Sequence, residues 1–439
     1  MIQAPVTRQE AHEVPIGQIE SELARLWRES DAATLAAGGQ ILARNSVMTL
    51  VVFARGQEQA RYVARAIEGL TGQHPSRAII LALQPDATGA SISASVSIHS
   101  HSPQNNGVGQ VRAEQIMLTV NGDATQHLPG VVLPLLLTEL PAFVWWTGAL
   151  PSGELVQSLN DACDRAIIDS ADFAAPERDL VRMADMLQSQ MHPINRTAFS
   201  DFNWTRIKPW RELTAQFFDN PRYRPYLDGV ERVEIEFAVD AQSTPNPIQA
   251  YLFAGWLASR LKWQTLTGVH SAGGAARLGL RTHAGAPIAV EIAPRNNIPT
   301  RDWWSTSSAE WPVELGDGLS TEGEDEEKIQ TNRHSGHVSG ALSVSTGGIM
   351  RINIQTRLNG QSVSFTILRE DDMKNAMTVV VGDGDTAQQR RTPLDSYGET
   401  ALLHQQLGIF ERNHIYEEAI LATRSMVTSD GNRSGSRNR

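Results

Sequence analysis

The chain has 439 residues, of which 41% are hydrophobic and 20% charged, and 38 Lys and Arg against 49 Asp and Glu give a net charge of -11. This composition excludes a wholly disordered chain and argues against nucleic acid as a partner, because phosphate binding needs a basic surface. No run of 18 apolar residues is present to span a membrane, and the single cysteine, Cys163, excludes an intrachain disulfide and a Cys-rich zinc site.

The length predicts two or three domains, at about 150 residues each. The first 15 residues are polar and lack the basic-then-apolar pattern of a secretory signal. We therefore expect a cytoplasmic protein.

The chain begins with alternating helix and strand patterns. Apolar residues at helical spacing over 16–27 predict a first helix. The continuous apolar run 47–53 predicts a strand buried on both faces. A helical stripe over 60–70 and a second buried strand over 78–83 follow.

A long hairpin is predicted next. Apolar residues alternate with serine over 92–98, a Pro-Gln-Asn-Asn-Gly turn lies at 103–107, and alternation resumes over 116–120. Hairpins of this kind often lie at a sheet edge, where serine opposes pairing with another strand only weakly. Strand addition to a partner is therefore one functional alternative.

The order of elements over residues 1–200 predicts an N-terminal α/β domain, a mixed sheet with helices on both faces. The remaining elements of this part are an apolar helix over 128–140, a strand over 142–146, a helix over 152–160, a strand over 166–168 and a helix over 180–191.

Residues 201–228 are predicted to connect two domains, through a helix that begins at Pro209. Residues 229–424 are predicted to form a C-terminal α+β domain, with a largely antiparallel sheet and flanking helices. The tail 425–439 is rich in Ser, Asn, Gly and Arg and is predicted to be disordered.

The strands of the C-terminal domain are predicted from alternating apolar residues. A helix is expected over 248–261, where Asn246 and Gln249 resemble a capping box. The expected strands are 233–237, 278–280, 288–292, 338–344, 350–354, 363–367 and 377–381, and two final helices are expected near 403–410 and 414–424. Residues 305–336 are acidic and show no hydrophobic periodicity. They are interpreted as a solvated loop or as a docking loop for a basic partner.

Sequence motifs for catalysis are missing. There is no G-x-S-x-G elbow and no Walker A loop, and the strand 47–53 is followed by one glycine where a dinucleotide loop needs three. Two histidine pairs, His99 with His101 and His334 with His337, each lack an evident third metal ligand. We therefore predict no catalytic residue, no cofactor and no metal site.

The lone cysteine is predicted to be unreactive. Asp161 and Asp164 flank Cys163 in sequence, and nearby carboxylates would raise the pKa of its thiol.

Tryptophan is abundant, with ten residues that occur mainly in clusters. Trp145 and Trp146 are adjacent on a predicted strand and are expected to point to opposite faces of the sheet. Clusters also occur at 204–210 and 303–311. Trp can anchor a core or, together with Arg, an interface.

Four segments of the chain together resemble the glucose-6-phosphate dehydrogenase assembly protein (OpcA) family. The likeness is most specific over 130–215, in order and spacing, and it extends to Tyr-Glu-Glu-Ala at 416–419 on the last predicted helix. The segments are Leu-Pro-Leu-Leu-Leu at 133–137, Leu-Pro-Ala-Phe-Val-Trp-Trp at 140–146, Cys-Asp-Arg-Ala-Ile-Ile-Asp-Ser-Ala at 163–171 and Phe-Asn-Trp-Thr-Arg-Ile-Lys-Pro-Trp-Arg at 202–211.

The resemblance implies a partner protein without catalytic activity. Members of that family bind glucose-6-phosphate dehydrogenase of the pentose phosphate pathway, promote its active oligomer and raise its apparent affinity for glucose 6-phosphate. Cysteines of cyanobacterial members respond to thioredoxin. Because Cys163 is alone, an intramolecular switch of that kind is not available here, and an intermolecular disulfide remains open.

The connecting segment is our hypothesis for the partner interface, because it joins the predicted domains and pairs Trp with Arg. Its candidate residues are Trp204, Arg206, Trp210 and Arg211. The alternative is a hinge packed inside the protein.

A different functional alternative is a sugar-phosphate-binding enzyme or sensor of the same pathway. It would use Arg77, Asp169 and Ser170, which lie near predicted strand ends.

Overall fold

The computed structural model describes most of the chain. The described residues are 6–8, 12–36, 46–101, 111–148, 150, 154–190, 197–239, 245–272, 275–296, 346–370, 374–382, 387–394 and 397–428. The predicted strand 338–344, the acidic segment 305–336 and the tryptophans at 303–311 lie outside them.

The first half of the chain forms a nine-stranded mixed sheet in the described residues. Its strands are β1 (Val6–Arg8), β2 (His12–Val14), β3 (Met48–Arg55), β4 (Ser76–Gln84), β5 (Ser91–His101), β6 (Val111–Asn121), β7 (Ala142–Trp146), β8 (Arg165–Ile168) and β9 (Ala198–Asp201). The spatial order is β1-β5-β6-β4-β3-β7-β8-β9, and β2 also pairs with β5. The strands from β6 to β9 in this order run parallel, whereas β5 runs antiparallel to its neighbours.

Helices cover both faces of this sheet, as predicted. They are α1 (Ile19–Ala36), α2 (Gly56–Leu70), α3 (Leu128–Val132), α4 (Glu154–Ala162) and α5 (Pro176–Gln190). The apolar stripe of α2 packs on one face, and α1, α3, α4 and α5 pack on the other. The two adjacent tryptophans of β7 confirm the predicted alternation, because Trp145 packs on the face that α2 covers and Trp146 packs on the opposite face.

The hairpin β5–β6 is not a free sheet edge, and this expectation was wrong. β6 pairs with β4 on its other side, and β1 and β2 cover the outer side of β5. The chain before residue 15 supplies these covering strands, and an occupied strand edge has no free backbone groups for a partner. The strand-addition alternative therefore loses its basis.

The predicted apolar helix 128–140 is much shorter in the structure. α3 ends at Val132 and continues as a single 3-10 turn over Leu133–Leu135. Pro134 has no backbone N–H to donate to an α-helical bond, and its ring disfavours a continued α-helix. Sequence analysis also missed β9, because its four residues include two polar ones and show no long apolar run.

The segment between the two sheets is helical. It contains α6 (Phe202–Arg206) and α7 (Lys208–Asp219), followed by a 3-10 helix over Arg224–Gly229. Pro209 lies in the first turn of α7, where its missing N–H needs no partner.

The second half forms an eight-stranded sheet in the described residues. Its elements are β10 (Val230–Val239), α8 (Ile248–Leu261), β11 (Gln264–Ala272), β12 (Ala275–Arg281), β13 (Pro287–Asn296), β14 (Ile349–Leu358), β15 (Gln361–Arg369), β16 (Asn375–Gly382), β17 (Gln388–Pro393), α9 (Glu399–Leu407) and α10 (His414–Thr428). The order β11-β12-β13-β10-β14-β15-β16-β17 is antiparallel except for the pair β10–β13. The fold class is therefore the predicted one, although β11 and β17 were not predicted.

The two halves share one core. A single cluster of buried residues contains strand residues of both sheets, and α9 packs beside α2 on the first sheet. The division into domains 1–200, 201–228 and 229–424 remains a prediction. The predicted tail begins too early, because α10 continues to Thr428 and buries Met426. No helix of the described residues is long and apolar enough to cross a membrane.

Helices α8 and α10 approach each other closely at a glycine. A β-carbon at Gly255 would overlap Thr423 Oγ1 and the carbonyl oxygen of Ala419. The hydroxyl of Thr423 also donates to the carbonyl oxygen of Tyr251, at 3.1 Å. The contact between the two helices thus requires the absence of a side chain at position 255.

We predict that Gly255→Ala lowers the free energy of unfolding by about 1–3 kcal/mol, because overpacking separates α8 from α10. Gly130→Ala is the matched control. Gly130 also lies in a helix, but a β-carbon there meets nothing within 4 Å. Urea unfolding of both variants tests this, and equal stabilities would contradict it.

Candidate functional site

The polar residues of the first sheet converge at one edge. The strands β3, β7, β8 and β9 are parallel, so their carboxyl ends lie together. This edge is where open α/β sheets bind ligands. Arg55, Gly148, Asp169 and Asp201 lie at or just after these strand ends, and we call this region the carboxyl edge.

An arginine–carboxylate pair lies at the centre of the carboxyl edge. The guanidinium of Arg206 donates to both oxygens of Asp169, at 2.6 and 2.7 Å. It also donates to Asn203 Oδ1 at 2.9 Å. Such bidentate pairs fix geometry as well as charge. The pair therefore holds α6 against the end of β8.

Asp201 is a fully buried carboxylate beside this pair. It accepts hydrogen bonds from the backbone N–H of Ser170 at 3.1 Å, from the Ser170 hydroxyl at 2.7 Å and from the backbone N–H of Asn203 at 2.9 Å. Burial, and after it the nearby Asp169 carboxylate, raise the pKa of Asp201 to about 6 in spite of these bonds.

Four side chains of the second half complete this network. Asn246 donates to the carbonyl oxygen of Ala171 at 2.8 Å, and Gln249 donates to Asn203 Oδ1 at 3.0 Å. Gln406 of α9 donates to Thr205 Oγ1 at 2.6 Å, and the Tyr416 hydroxyl of α10 lies 3.5 Å from Asp201 Oδ2. Polar contacts thus connect both halves through β9 and α6.

The predicted capping box at α8 is half correct. Asn246 Oδ1 accepts from the N–H of Ile248 at 3.1 Å and caps the helix. The Gln249 side chain instead bonds to Asn203 and to the N–H of Ile349. Gln249 thus bonds to distant parts of the chain and does not make the local bond of a capping box.

Helix α9 closes the carboxyl edge from the outside. Glu399 in its first turn interacts with Tyr62 of α2 and lies near the carboxylates of Asp169 and Asp172. Burial raises the pKa of Glu399, and the neighbouring carboxylates raise it further. The guanidinium groups of Arg206 and Arg55 also lie near Asp172, so positive and negative side chains are close together at the carboxyl edge.

The structure shows how the four candidate interface residues pack. Trp204 and Trp210 are 5% and 1% exposed. The guanidinium of Arg211 lies 3.6 Å from the ring centre of Trp204 and donates to its carbonyl oxygen at 3.2 Å, while Arg206 pairs with Asp169. Burial lowers the pKa of Arg211 to about 10.

The internal-packing alternative fits this arrangement, whereas buried indoles offer a partner no contact surface. Any part that this segment plays in partner binding remains a prediction. Because its indoles are buried, the segment would contribute to binding by holding other surfaces of the protein in position.

Sequence reasoning missed most of the network, including Asp201, Asn203, Glu399 and Gln406. One signal was available, since Asp201 begins a short helix whose Asn203 N–H it caps. The other residues come from distant parts of the chain and give no local signal.

The proposed crevice of Arg77, Asp169 and Ser170 does not form. Arg77 lies at the beginning of β4, which is the opposite edge of the sheet from Asp169. There it is buried and donates to Glu114 and Glu20, both at 2.6 Å. The beginning and the end of a strand look alike in sequence. Only the direction of each strand in the folded sheet shows at which of the two edges a residue lies.

The histidine pairs gain no third ligand in the described residues. His99 is buried, 3.2 Å from Ser97 Oγ and 3.5 Å from Glu68 Oε1. No group of three metal-ligating side chains occurs in the described part of the chain. His334 and His337 lie outside it.

Cys163 is buried just before β8. Burial raises the pKa of its thiol to about 12, with a further contribution from Asp164. The predicted direction of this shift is confirmed, although burial exceeds the effect of the carboxylate.

Two family models match the chain. Residues 67–185 match the N-terminal domain of the glucose-6-phosphate dehydrogenase subunit family, and residues 197–420 match its C-terminal domain. Together these matches cover most of both sheets and the whole of the connecting segment.

Curated relatives come from cyanobacteria and are named OpcA, a protein of the OxPP cycle. The relative from Nostoc punctiforme is 32% identical over 226 residues, which are 49% of this chain and 46% of the relative. The relative from Synechocystis is 37% identical over 152 residues, 34% of this chain and 30% of the relative. The matched regions thus span less than half the length of these relatives.

Solved structures with some likeness include an NAD-binding oxidoreductase from Klebsiella pneumoniae. It is 8% identical, with a TM-score of 0.41 over 87% of this chain and 95% of that one. A likeness at this level carries no conclusion about activity.

The buried carboxylate of Asp201 predicts a pH effect on stability. Its folded-state pKa of about 6 lies above the ordinary 3.8, so the folded protein binds this proton more tightly than the unfolded chain. The Asp201 contribution to stability should therefore rise as the pH falls from about 6 to about 4, by on the order of 1–3 kcal/mol.

Asp201→Asn separates this contribution from those of other carboxylates. The variant loses a hydrogen-bond acceptor at every pH, but it lacks the proton-linked slope. We expect the stability of the natural protein relative to Asp201→Asn to increase toward acid in urea unfolding. A pH-independent difference would contradict the raised pKa.

Cys163 should be inert in the folded protein. A thiol with a pKa of about 12 is almost entirely protonated at neutral pH. We expect no reaction with a disulfide reagent such as Ellman's reagent under native conditions and one equivalent of reaction in denaturant. Rapid native labelling would show that the thiol is accessible.

Proposed function

The chain belongs to the OpcA family of glucose-6-phosphate dehydrogenase subunits, and from that membership we propose that it binds glucose-6-phosphate dehydrogenase and promotes the assembly and activation of that enzyme. In this proposal the chain itself catalyses no reaction and acts as an allosteric activator in the pentose phosphate pathway.

The observation that carries the proposal is the pair of family matches over 67–185 and 197–420. They cover most of both sheets and the whole of the segment that connects them. The curated OpcA relatives, over their shorter matched regions, agree with this assignment.

The geometry of the carboxyl edge supports a role without catalysis. Helix α9 packs at the carboxyl edge, where open α/β sheets bind ligands, and Glu399 brings a carboxylate toward Asp169 and Asp172. The side chains there are paired with each other, and Cys163 is held as a neutral thiol. None of these groups is arranged as a nucleophile with an adjacent base.

An activator must bind the active state of its enzyme more tightly than the inactive state. A tenfold shift in the dehydrogenase requires about 1.4 kcal/mol of differential binding free energy. A rigid surface favours such discrimination, because less conformational entropy is lost on binding. The buried network around Asp201 supplies that rigidity by holding both halves in one orientation.

A sugar-phosphate sensor is the second function we considered, and the structure gives it little support. Its three candidate residues lie at opposite edges of the sheet, and at the carboxyl edge Arg206 is already paired with Asp169. Calorimetric titration of the isolated chain with glucose 6-phosphate distinguishes the two functions. A sensor should release or absorb heat on binding, whereas an assembly protein should show no binding of the sugar phosphate.

The proposal predicts a kinetic effect on the dehydrogenase from the same organism. Adding the full chain should lower the KM for glucose 6-phosphate severalfold, and light scattering should detect a mixed species larger than either protein. The isolated chain should not reduce NADP. Unchanged dehydrogenase kinetics without a mixed species would contradict the proposal.

Arg206→Ala tests whether the network positions the binding surface. It leaves the Asp169 carboxylate without its bidentate partner, so we expect a loss of about 1–3 kcal/mol in stability and weaker activation of the dehydrogenase. Arg424→Ala is the control, because Arg424 forms an exposed ion pair with Asp185. Full activation by Arg206→Ala with unchanged binding would exclude this role for the segment.

A further inference from the structure

A short helix of the second half covers part of the first sheet. Among the described helices of the first half that follow residue 15, α2 packs on one face of this sheet, whereas α1, α3, α4 and α5 pack on the other. Helix α9 packs beside α2, and its Leu402, Leu403 and Leu407 join the apolar cluster that contains Trp145 and Phe202. The core on this face is therefore completed by an element from the other half of the chain.

Helix α9 depends on its tertiary contacts. It has nine residues, Glu399–Leu407, and its N-cap residue Gly398 makes no side-chain capping bond. Isolated helices shorter than about 12–15 residues are marginal in water. The contacts at the two ends of α9 therefore decide how firmly the helix stays on the sheet.

The amino-terminal end of α9 lies among carboxylates. Glu399 interacts with Tyr62 of α2, and Asp169 and Asp172 lie close enough to raise the pKa of its carboxyl group, after the larger effect of burial. The nearby guanidinium of Arg206 acts in the opposite direction. Protonation of Glu399 removes the repulsion among the carboxylates, so acid does not loosen this end of the helix.

The carboxyl-terminal end of α9 is held by two histidines. His74 Nε2 lies 2.8 Å from His404 Nδ1, and the two ring centres are 4.8 Å apart. The backbone N–H of His74 donates to the carbonyl oxygen of Leu70, the last residue of α2, at 2.8 Å. Gln406 of the same end of α9 donates to Thr205 of α6 at 2.6 Å. The histidine contact thus joins the end of α2 to the end of α9.

The number of protons on the two rings decides whether this contact forms. In the neutral pair, one facing nitrogen carries a hydrogen and the other accepts it. A first added proton can bind to the outer nitrogen of the donor ring, which strengthens the hydrogen bond. A second proton must bind to the accepting nitrogen, and two positively charged rings then face each other without an acceptor.

The charges around the two histidines do not compensate a doubly protonated pair. Burial, and after it the charge of His404, lower the pKa of His74, and no carboxylate of the described residues contributes to this shift. The other charged side chains of α2, α6, α9 and the turn after α9 are placed as follows: Glu68 lies 3.5 Å from His99, Arg206 pairs with Asp169, Arg412 pairs with Glu417, Glu399 lies at the opposite end of α9, and Glu58, Arg61, Arg65 and Glu411 are exposed.

We propose that the contact between His74 and His404 makes α9 a pH-sensitive strap, which stays on α2 while the pair carries at most one proton and whose carboxyl-terminal end is released when both rings are protonated. The docked strap binds the second proton more weakly than the released strap. Docking is therefore complete above the ordinary range of histidine and is lost as the pH falls, by up to about tenfold per pH unit. Release also breaks the bond from Gln406 to Thr205.

The test is amide hydrogen exchange of the isolated full chain, measured by mass spectrometry at about pH 7.5 and about pH 5, on either side of the ordinary histidine range. After correction for the intrinsic exchange rate, the amides of α9 should lose at least tenfold in protection at the lower pH. The amides of β3, in the same sheet, should keep theirs. This inference is independent of the proposed role with the dehydrogenase, because no partner is present.

Two substitutions assign the effect to the histidines. His74→Gln and His404→Asn place a neutral amide near the positions of Nε2 and Nδ1, so each should abolish the acid-induced loss in α9. His283→Gln is the matched control, because His283 is exposed in the turn between β12 and β13, and it should leave the loss unchanged. Protection of β3 at the higher pH shows that each variant is folded.

Three results would overturn the proposal. The first is equal protection of α9 at both pH values in the natural chain. The second is an acid-induced loss that persists in both substituted chains, which would assign it to other groups. The third is a loss that extends equally to β3, because the whole chain would then be unfolding.

Discussion

The structure depends on a buried polar network at the point where the chain passes from its first sheet to its second. Asp201 ends β9 and is fully buried, and Ser170 and Asn203 donate to its carboxylate. Leaving such a carboxylate without donors would be costly. Its surroundings are therefore constrained to one arrangement, in which β8, β9 and α6 supply the donors.

The same network fixes how the second half sits on the first. Asn246 before α8, Gln249 of α8 and Gln406 of α9 donate hydrogen bonds to backbone or side-chain groups of this region. Apolar contacts provide most of the stabilising free energy, but they are non-directional. The directional bonds select one orientation among several that would bury similar apolar area.

The polar residues at the carboxyl edge are bonded mainly to each other. The carboxyl ends of the parallel strands meet, as in folds that bind nucleotides, but their polar residues bond to each other and to α9.

The sequence by itself determined the elements whose burial is local. The run at 47–53 indicated a strand buried on both faces, and the paired Trp145 and Trp146 indicated a sheet with cores on both sides. The family segments over 130–215 indicated the relationship that the family models show. These features can be predicted because the spacing of apolar residues indicates which faces of a helix or strand are buried.

Only the tertiary structure decided what covers each face and edge. It placed β1 and β2 along β5, buried Trp204 and Trp210 within the chain, and separated Arg77 from Asp169 by the height of the sheet. Each of these outcomes depends on residues far apart in sequence. Local periodicity reports that a side chain is buried, but the partner that buries it is chosen by the free energy of the whole fold.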